Sequence, residues 1–155
     1  MSAGEDGFAF RPEFYELALR YARGADRRDY AAVGALFVAD GRIVGRRGDA
    51  ETAEPLYLME GRESIVAGLR GLERFEKTSH LVANQLVEIK GDTATGETYC
   101  TAHHIYREDG DARNLSMAIR YQDRFAKEGG DWRFAERVLV IDWERDQPLG
   151  EKGWV

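Results

Sequence analysis

The stretch that decides the fold is TSHLVANQLVEIKGDTATGETYCTAHHIYR, residues 78–107. It contains two extended runs, 78–89 and 93–107, on either side of the turn Lys90-Gly91-Asp92. Glycine and aspartate supply the backbone conformations that tight turns need, so this stretch predicts a β-hairpin. Runs of about 12 residues exceed the usual strand length, and we therefore expect a strongly curved or bulged sheet.

The elements around this hairpin extend the pattern in both directions. Two further extended runs follow it, 114–127 and 132–143, again after turns rich in glycine and aspartate. Upstream, the apolar spacing and the capping residues predict three helices, at 12–25, 30–37 and 62–75, and two short strands, at 41–46 and 56–59. Helices followed by a long antiparallel meander indicate an α+β fold with the helices packed on the concave face of the sheet.

The first predicted helix carries an apolar stripe that ends at a carboxylate. The stripe leads to Asp26 and consists of Phe14, Leu17, Ala18, Tyr21, Ala22 and Ala25. A core-facing Asp in the last turn of a helix faces the negative end of the helix dipole and loses hydration, so it needs a partner. We expect that partner to be His80, in the 78–89 run. A buried Asp beside a His makes a general base, because the carboxylate fixes the ring tautomer and stabilises the charged ring.

Alternation along the long runs predicts which side chains face the helices. One side of the 93–107 run holds small or weakly polar residues, namely Ala94, Gly96, Thr98, Cys100, Ala102 and His104. Only one of His103 and His104 can face inward; we favour His104, although a slip of one residue would exchange them. The last run places a cation in the apolar row Ala135, Arg137, Leu139, Ile141 and Trp143. Arg137 therefore needs a counter-ion, either Asp123 or Glu136. We expect Trp132 and Trp143 in the core and Cys100 as a small buried hydrophobe.

Composition narrows the class of protein. A chain of 155 residues is one domain on size, with residues 1–11 and 147–155 expected as peripheral tails and 48–55 and 150–155 as loosely organised stretches. A net charge of −6 without a long Lys/Arg cluster argues against a nucleic-acid partner. Met1 to Arg11 lacks an apolar signal segment, and no run is long enough to span a membrane. The single cysteine favours a reducing compartment, so we expect a cytoplasmic protein.

Metal and organic cofactors are not indicated. The three histidines lack the close ligand spacing typical of a zinc site, and adjacent His103 and His104 point to opposite faces. No glycine-rich phosphate loop or dinucleotide fingerprint follows a strand. We therefore expect a protein that works without a metal or a cofactor.

Three segments resemble a known family: YARGAD (21–26), TSHL (78–81) and DWRFAER (131–137). Together with the order of the elements, they resemble the SnoaL-like branch of the nuclear transport factor 2 superfamily over nearly the whole chain. Within it, the chain looks most like the group of scytalone dehydratase, gamma-hexachlorocyclohexane dehydrochlorinase and bile acid 7α-dehydratase. The resemblance implies a cone-shaped, cystatin-like α+β barrel and a lyase without cofactor that uses an Asp/His pair, matched here by Asp26 and His80.

Further residues are carried over from this resemblance one at a time. Tyr21 matches a tyrosine of the bile acid enzyme, His104 the second catalytic histidine of scytalone dehydratase, and Arg137 the pocket arginine of the dehydrochlorinase. Two positions depart from these relatives: Ala25 stands where scytalone dehydratase has a tyrosine, and Ala102 where the bile acid enzyme has a second aspartate. The substrate need not be that of any of the three. We also expect substrate contacts from Tyr57, Tyr121 and Asp123, with Met59, Phe75 and Met117 shaping the pocket.

The sequence thus predicts a cofactor-independent lyase, of dehydratase or dehydrohalogenase type, or an isomerase that acts on a small, apolar, cyclic molecule. Other readings stay open at this point. The fold also serves non-catalytic binding or assembly modules, such as the small subunit of ring-hydroxylating dioxygenases, and polyketide cyclases or epoxide hydrolases. The back of a long sheet normally needs covering, so we expect a homodimer or homotrimer.

Overall fold

Helices precede the long strands, as the sequence predicts. The computed structural model describes residues 7–49, 52 and 54–150. The helices are α1 (Pro12–Asp26), α2 (Tyr30–Gly34), α3 (Arg62–Leu69) and a 3-10 helix (Arg70–Arg74). The strands are β1 (Phe37–Arg47), β2 (Pro55–Glu60), β3 (Lys77–Lys90), β4 (Thr93–Glu108), β5 (Asp111–Glu128) and β6 (Asp131–Pro148).

The six strands form one sheet in the order β2-β1-β6-β5-β4-β3. Neighbours along the chain pair in antiparallel fashion, from β3 through β6 and between β1 and β2. The pairing of β1 with β6 is parallel and joins the short strands to the meander. The predicted α+β class with a curved sheet is confirmed.

Bulges bend the long strands and decide which side chains face inward. Register shifts interrupt β3 between Val82 and Gln85, and the β5–β6 pairing at two places. A bulge reverses the alternation of side chains beyond it. In β6 this breaks the single row that we predict from the sequence. Phe134 and Arg137 are buried, whereas Trp143 is 69% exposed, so the prediction of Trp143 as a core residue is wrong.

Helix α1 lies on the concave face and fills the core. Phe14 packs edge-on against Phe125, with ring centroids 4.7 Å apart, and Trp132 packs against Phe14 at 5.0 Å, as its predicted core position requires. The inward row of β4 is confirmed. Its members from Ala94 to His104 are all buried, and Cys100 is among them. Helix α1 packs mainly against β3, where Gln85 Nε2 donates to the Phe14 carbonyl oxygen at 3.3 Å.

Several helices and strands end at other residues than the sequence predicts. Helix α2 ends at Gly34 because Phe37 already pairs with Phe134 as part of β1. The predicted third helix ends at Leu69, where the chain tightens into the 3-10 helix. Strand β6 continues to Pro148, within the predicted C-terminal tail, and Ala9 of the predicted N-terminal tail pairs with Val87. Residues 1–6 and 151–155 of the predicted tails, and residues 50, 51 and 53 of the predicted loose stretch, lie outside the described residues.

Candidate active site

The last residue of α1 meets β3 in a carboxylate–imidazole pair. Asp26 Oδ1 lies 2.7 Å from His80 Nδ1, and Asp26 Oδ2 accepts the His80 backbone N–H at 2.9 Å. Thr78, which shares the inward face of β3 with His80, donates its hydroxyl to Oδ1 at 2.9 Å. Three donors thus offset the unfavourable position of a carboxylate at the helix C-terminus. We call Asp26 and His80 the dyad.

The hydrogen bonds of the dyad fix its protons. Burial by itself raises the pKa of Asp26, but the bonds from the His80 ring, the His80 backbone and Thr78 outweigh burial and leave that pKa below its ordinary value. Asp26 is therefore an anion at neutral pH, and His80 must carry its proton on Nδ1 to bond it. In the neutral form of the ring, the other nitrogen, Nε2, then has a free lone pair. With 7% of its side chain exposed, His80 is shielded from bulk water while it lines the cavity described next.

A cavity of about 310 Å³ opens beside the dyad. It lies between α1, the segment from α3 to the 3-10 helix, and the concave sheet. Its walls are mainly apolar, and the pocket-shaping residues expected from the sequence all line it: Met59, Phe75, Met117, Tyr57 and Tyr121. Tyr21 and His104 line it as well. The structure therefore brings together six predicted site residues, namely Asp26, His80, Tyr21, His104, Tyr57 and Tyr121.

Phenol groups provide hydrogen-bond donors in this cavity. Burial raises the pKa of Tyr21 and of Tyr121 above the ordinary tyrosine value. Burial likewise raises the pKa of Tyr57 to about 12. All three hydroxyls are therefore protonated at neutral pH, and those of Tyr21 and Tyr57 can donate to an oxygen on a ligand.

His104 lies beside the dyad and provides a hydrogen-bond acceptor. Its ring centroid is 5.8 Å from that of His80, and its Nδ1 donates to the Leu115 carbonyl oxygen at 3.0 Å. Nε2 of His104 is therefore an acceptor in the neutral ring. Burial lowers the pKa of His104 to about 4, so the ring stays neutral at pH 7. The inward choice of His104 over His103 agrees with its burial, since only 5% of its surface is exposed.

Arg137 and Asp123 take a different place from the one expected. They form a bidentate ion pair, with N···O distances of 2.8 and 2.9 Å, and neither lines the cavity. The guanidinium carbon lies 3.8 Å from the Tyr121 ring centroid and 4.4 Å from that of Tyr21. The two side chains contact each other and the aromatic rings, so the structure does not bring Arg137 and Asp123 to the cavity, where the sequence led us to expect substrate contacts. Of the two predicted counter-ions of Arg137, Asp123 is the one that the structure shows, and not Glu136.

Two polar residues at the site, Thr78 and Arg74, are absent from the sequence prediction. Thr78 could have been found, because it is two positions before His80 and strand alternation puts both on one face. Arg74 closes the 3-10 helix, is exposed, and lines the cavity. No periodic pattern marks Arg74, since its place depends on how α3 ends.

The fold and the site define a class: a small α+β protein with a curved six-stranded sheet and a mainly apolar cavity beside an Asp/His pair. The profile of the SnoaL-like domain family matches residues 11–138. The chain therefore belongs to the SnoaL-like domain family, of the nuclear transport factor 2-like superfamily.

Solved structures with this fold include small-molecule enzymes and a subunit of a larger one. A candidate scytalone dehydratase from Novosphingobium aromaticivorans is 22% identical, with a TM-score of 0.74 over 88% of this chain and 86% of the other. Hexachlorocyclohexane dehydrochlorinase LinA-type3 from Novosphingobium barchaimii is 16% identical, with a TM-score of 0.75 over 94% and 93%. The beta subunit of a candidate aromatic-ring-hydroxylating dioxygenase from Novosphingobium aromaticivorans is 20% identical, with a TM-score of 0.71 over 86% and 90%. At these identities the likeness concerns the fold. No curated protein matches the sequence.

The described residues contain no group of three or more His, Cys, Asp or Glu side chains placed to hold a metal ion. In the same part of the chain, none of the helices has the length and apolar character needed to cross a membrane.

Proposed function

We propose that this protein is a cofactor-independent lyase, of dehydratase or dehydrohalogenase type, or an isomerase, and that the dyad is its general base. The observation that carries the proposal is the 2.7 Å contact of His80 Nδ1 with Asp26, which leaves Nε2 as a lone pair at an apolar cavity. A general base needs this combination of a free lone pair, a fixed tautomer and a nearby anion. A small, largely apolar, cyclic substrate suits a cavity of about 310 Å³.

The reaction follows from the donors and acceptors in the cavity. His80 Nε2 takes a proton from a carbon next to a carbonyl, and Asp26 stabilises the imidazolium that forms. The electron pair moves to the carbonyl oxygen, where phenol hydroxyls of Tyr21 and Tyr57 donate hydrogen bonds to the developing negative charge. When the electrons return, hydroxide or halide leaves and a double bond remains.

The fate of the proton separates the reaction types. Loss of water needs a proton on the leaving hydroxyl, and the imidazolium of His80 can return it. Loss of halide needs no proton on the leaving group. An isomerase returns the proton to a different carbon. His104 accepts a hydrogen bond through Nε2, so it orients a hydroxyl on the substrate instead of protonating the leaving group.

The test is a screen of hydroxylated and halogenated cyclic compounds, including steroids and polyketides, for loss of water or halide. With any compound that turns over, Asp26→Asn should lower kcat by about 10²–10⁴-fold, because the amide no longer favours the working tautomer. His103→Gln, on the opposite face of β4, is the matched control and should keep wild-type kcat. Unchanged kcat in Asp26→Asn would exclude the dyad, and tight binding without any turnover would favour a binding module.

A further inference from the structure

Arg74 places a positive charge where the cavity meets solvent. Arg74 is exposed and lines the cavity, and its guanidinium carbon lies 4.8 Å from the Phe75 ring centroid. Among the described residues, no carboxylate lies within 4.0 Å of its guanidinium. The neighbouring glutamates are bound elsewhere: Glu73 pairs with Arg70 at 3.7 Å, and Glu76 with Arg107 at 3.0 Å.

The charge of Arg74 reaches the cavity interior. Burial is the main influence on the pKa of Tyr57 and of His104, and the positive charge of Arg74 acts on both pKa values in addition. The buried Arg137 is neutralised by Asp123, so it presents no free charge to a ligand. Arg74 is thus the arginine in the cavity lining that is available to an anion. The chain carries a net charge of −6, so an anion gains here only from such a local cation.

We propose that Arg74 binds an anionic group of the substrate, a carboxylate, sulfate or phosphate, while the apolar body of the same molecule lies beside His80. This inference rests on the proposed function, because it takes the cavity as the substrate site. It names the substrate class: an amphipathic molecule with an apolar ring body and an acidic group at one end. An arginine fork matches such an oxyanion group with paired N–H donors.

Two fluorescent probes with the same aromatic body test the proposal without turnover. They are 8-anilinonaphthalene-1-sulfonate, an anion, and N-phenyl-1-naphthylamine, which lacks the sulfonate. Their dissociation constants are measured by titration for wild type and Arg74→Gln. The matched control is Arg70→Gln, in the same 3-10 helix but ion-paired and outside this cavity. Leu139→Phe narrows the cavity, so its effect on binding shows whether the probes bind there.

We expect wild type to bind the sulfonate probe more tightly than the neutral probe. Arg74→Gln should weaken the sulfonate probe by about 3- to 10-fold and leave the neutral probe unchanged, since an exposed charge contact is modest. Raising the salt from about 20 mM to about 500 mM should remove this difference. Arg70→Gln should change neither probe, and Leu139→Phe should weaken both.

The proposal is overturned by an equal loss of both probes in Arg74→Gln, by no loss of the sulfonate probe, or by no preference for it in wild type. Binding of both probes that Leu139→Phe leaves intact would also overturn it, because the probes then lie elsewhere. None of these results depends on Asp26 or His80, so they leave the lyase proposal to its own kinetic test.

Discussion

At the residue scale, the site is explained by the cost of burying charge. The apolar stripe of α1 ends at Asp26, whose buried charge needs compensation, and His80 and Thr78 provide it. The buried charge of Arg137 is likewise compensated by Asp123. Burial by itself would lower the pKa of the Arg137 guanidinium, but Asp123 raises that pKa, so the cation persists inside the protein. Glu136 faces the other side of β6, where it pairs with Arg42 and Arg124, whereas Asp123 stands directly opposite Arg137 in a β5–β6 register that the sequence alone does not fix.

A buried neutral histidine makes stability depend on pH. The pKa of His104 falls from 6.5 to about 4 on folding, so the unfolded chain takes up a proton more readily between these values. Stability should therefore be fully present above pH 6.5 and decrease as pH falls toward 4, with a slope of up to about 1.4 kcal/mol per pH unit. Urea unfolding at a series of pH values measures this slope.

The neighbouring histidine supplies the control for that measurement. His104→Gln should remove the slope, while His103→Gln, on the other face of β4, should keep it. A slope that disappears in His103→Gln and survives in His104→Gln would mean that the register of β4 is shifted by one residue.

At the element scale, regular alternation succeeds where strands are straight and fails at bulges. The inward row of β4 follows strict alternation and was predicted completely. The row of β6 was predicted only in part, because a bulge is a property of pairing with β5 and leaves no mark in the sequence of β6 alone. The end of α3 is a similar case, since Gly68 packs against Met59 and local propensity does not reveal that contact.

A glycine of β1 makes room for a cavity residue. Gly45 pairs with Tyr57 of β2, and a Cβ at Gly45 would lie 2.3 Å from the Tyr57 ring. Gly45→Ala should therefore displace this ring and lower stability by about 1–3 kcal/mol. In a Tyr57→Ala background the same change should cost less than about 0.5 kcal/mol. Denaturant unfolding of wild type, the two single variants and the double variant gives the coupling free energy between Gly45 and Tyr57. If the two substitutions change the free energy of unfolding additively, the contact is refuted.

At the scale of the whole molecule, the sequence predicts the fold better than the surface. The order of helices and strands, the curved sheet and the concave placement of α1 follow from periodicity and turn chemistry. The parallel pairing of β1 with β6 does not, because it joins segments about 90 residues apart. The outer face of the sheet also emerges only in the structure. Leu81, Thr101, Ala118 and Trp143 form one row across four strands.

This row is the surface through which we expect the chain to self-associate. Leu81 and Trp143 at its ends are 66% and 69% exposed. Large apolar side chains gathered on one open face favour association, so Trp143→Glu should raise the dissociation constant of the homodimer or homotrimer by at least about 10-fold. Leu19→Glu, at an exposed position of α1, is the control. Sedimentation that shows a wild-type monomer, or equal effects of both variants, would contradict the expectation.

The tautomer of His80 tests the central claim most directly, because it needs no substrate. Nitrogen NMR of labelled histidine rings at neutral pH distinguishes a protonated from an unprotonated ring nitrogen. The account predicts that His80 carries its proton on Nδ1 with Nε2 free, and that Asp26→Asn abolishes this preference. A His80 ring that carries its proton on Nε2, or that exchanges between tautomers like a solvated imidazole and ignores Asp26→Asn, would contradict it.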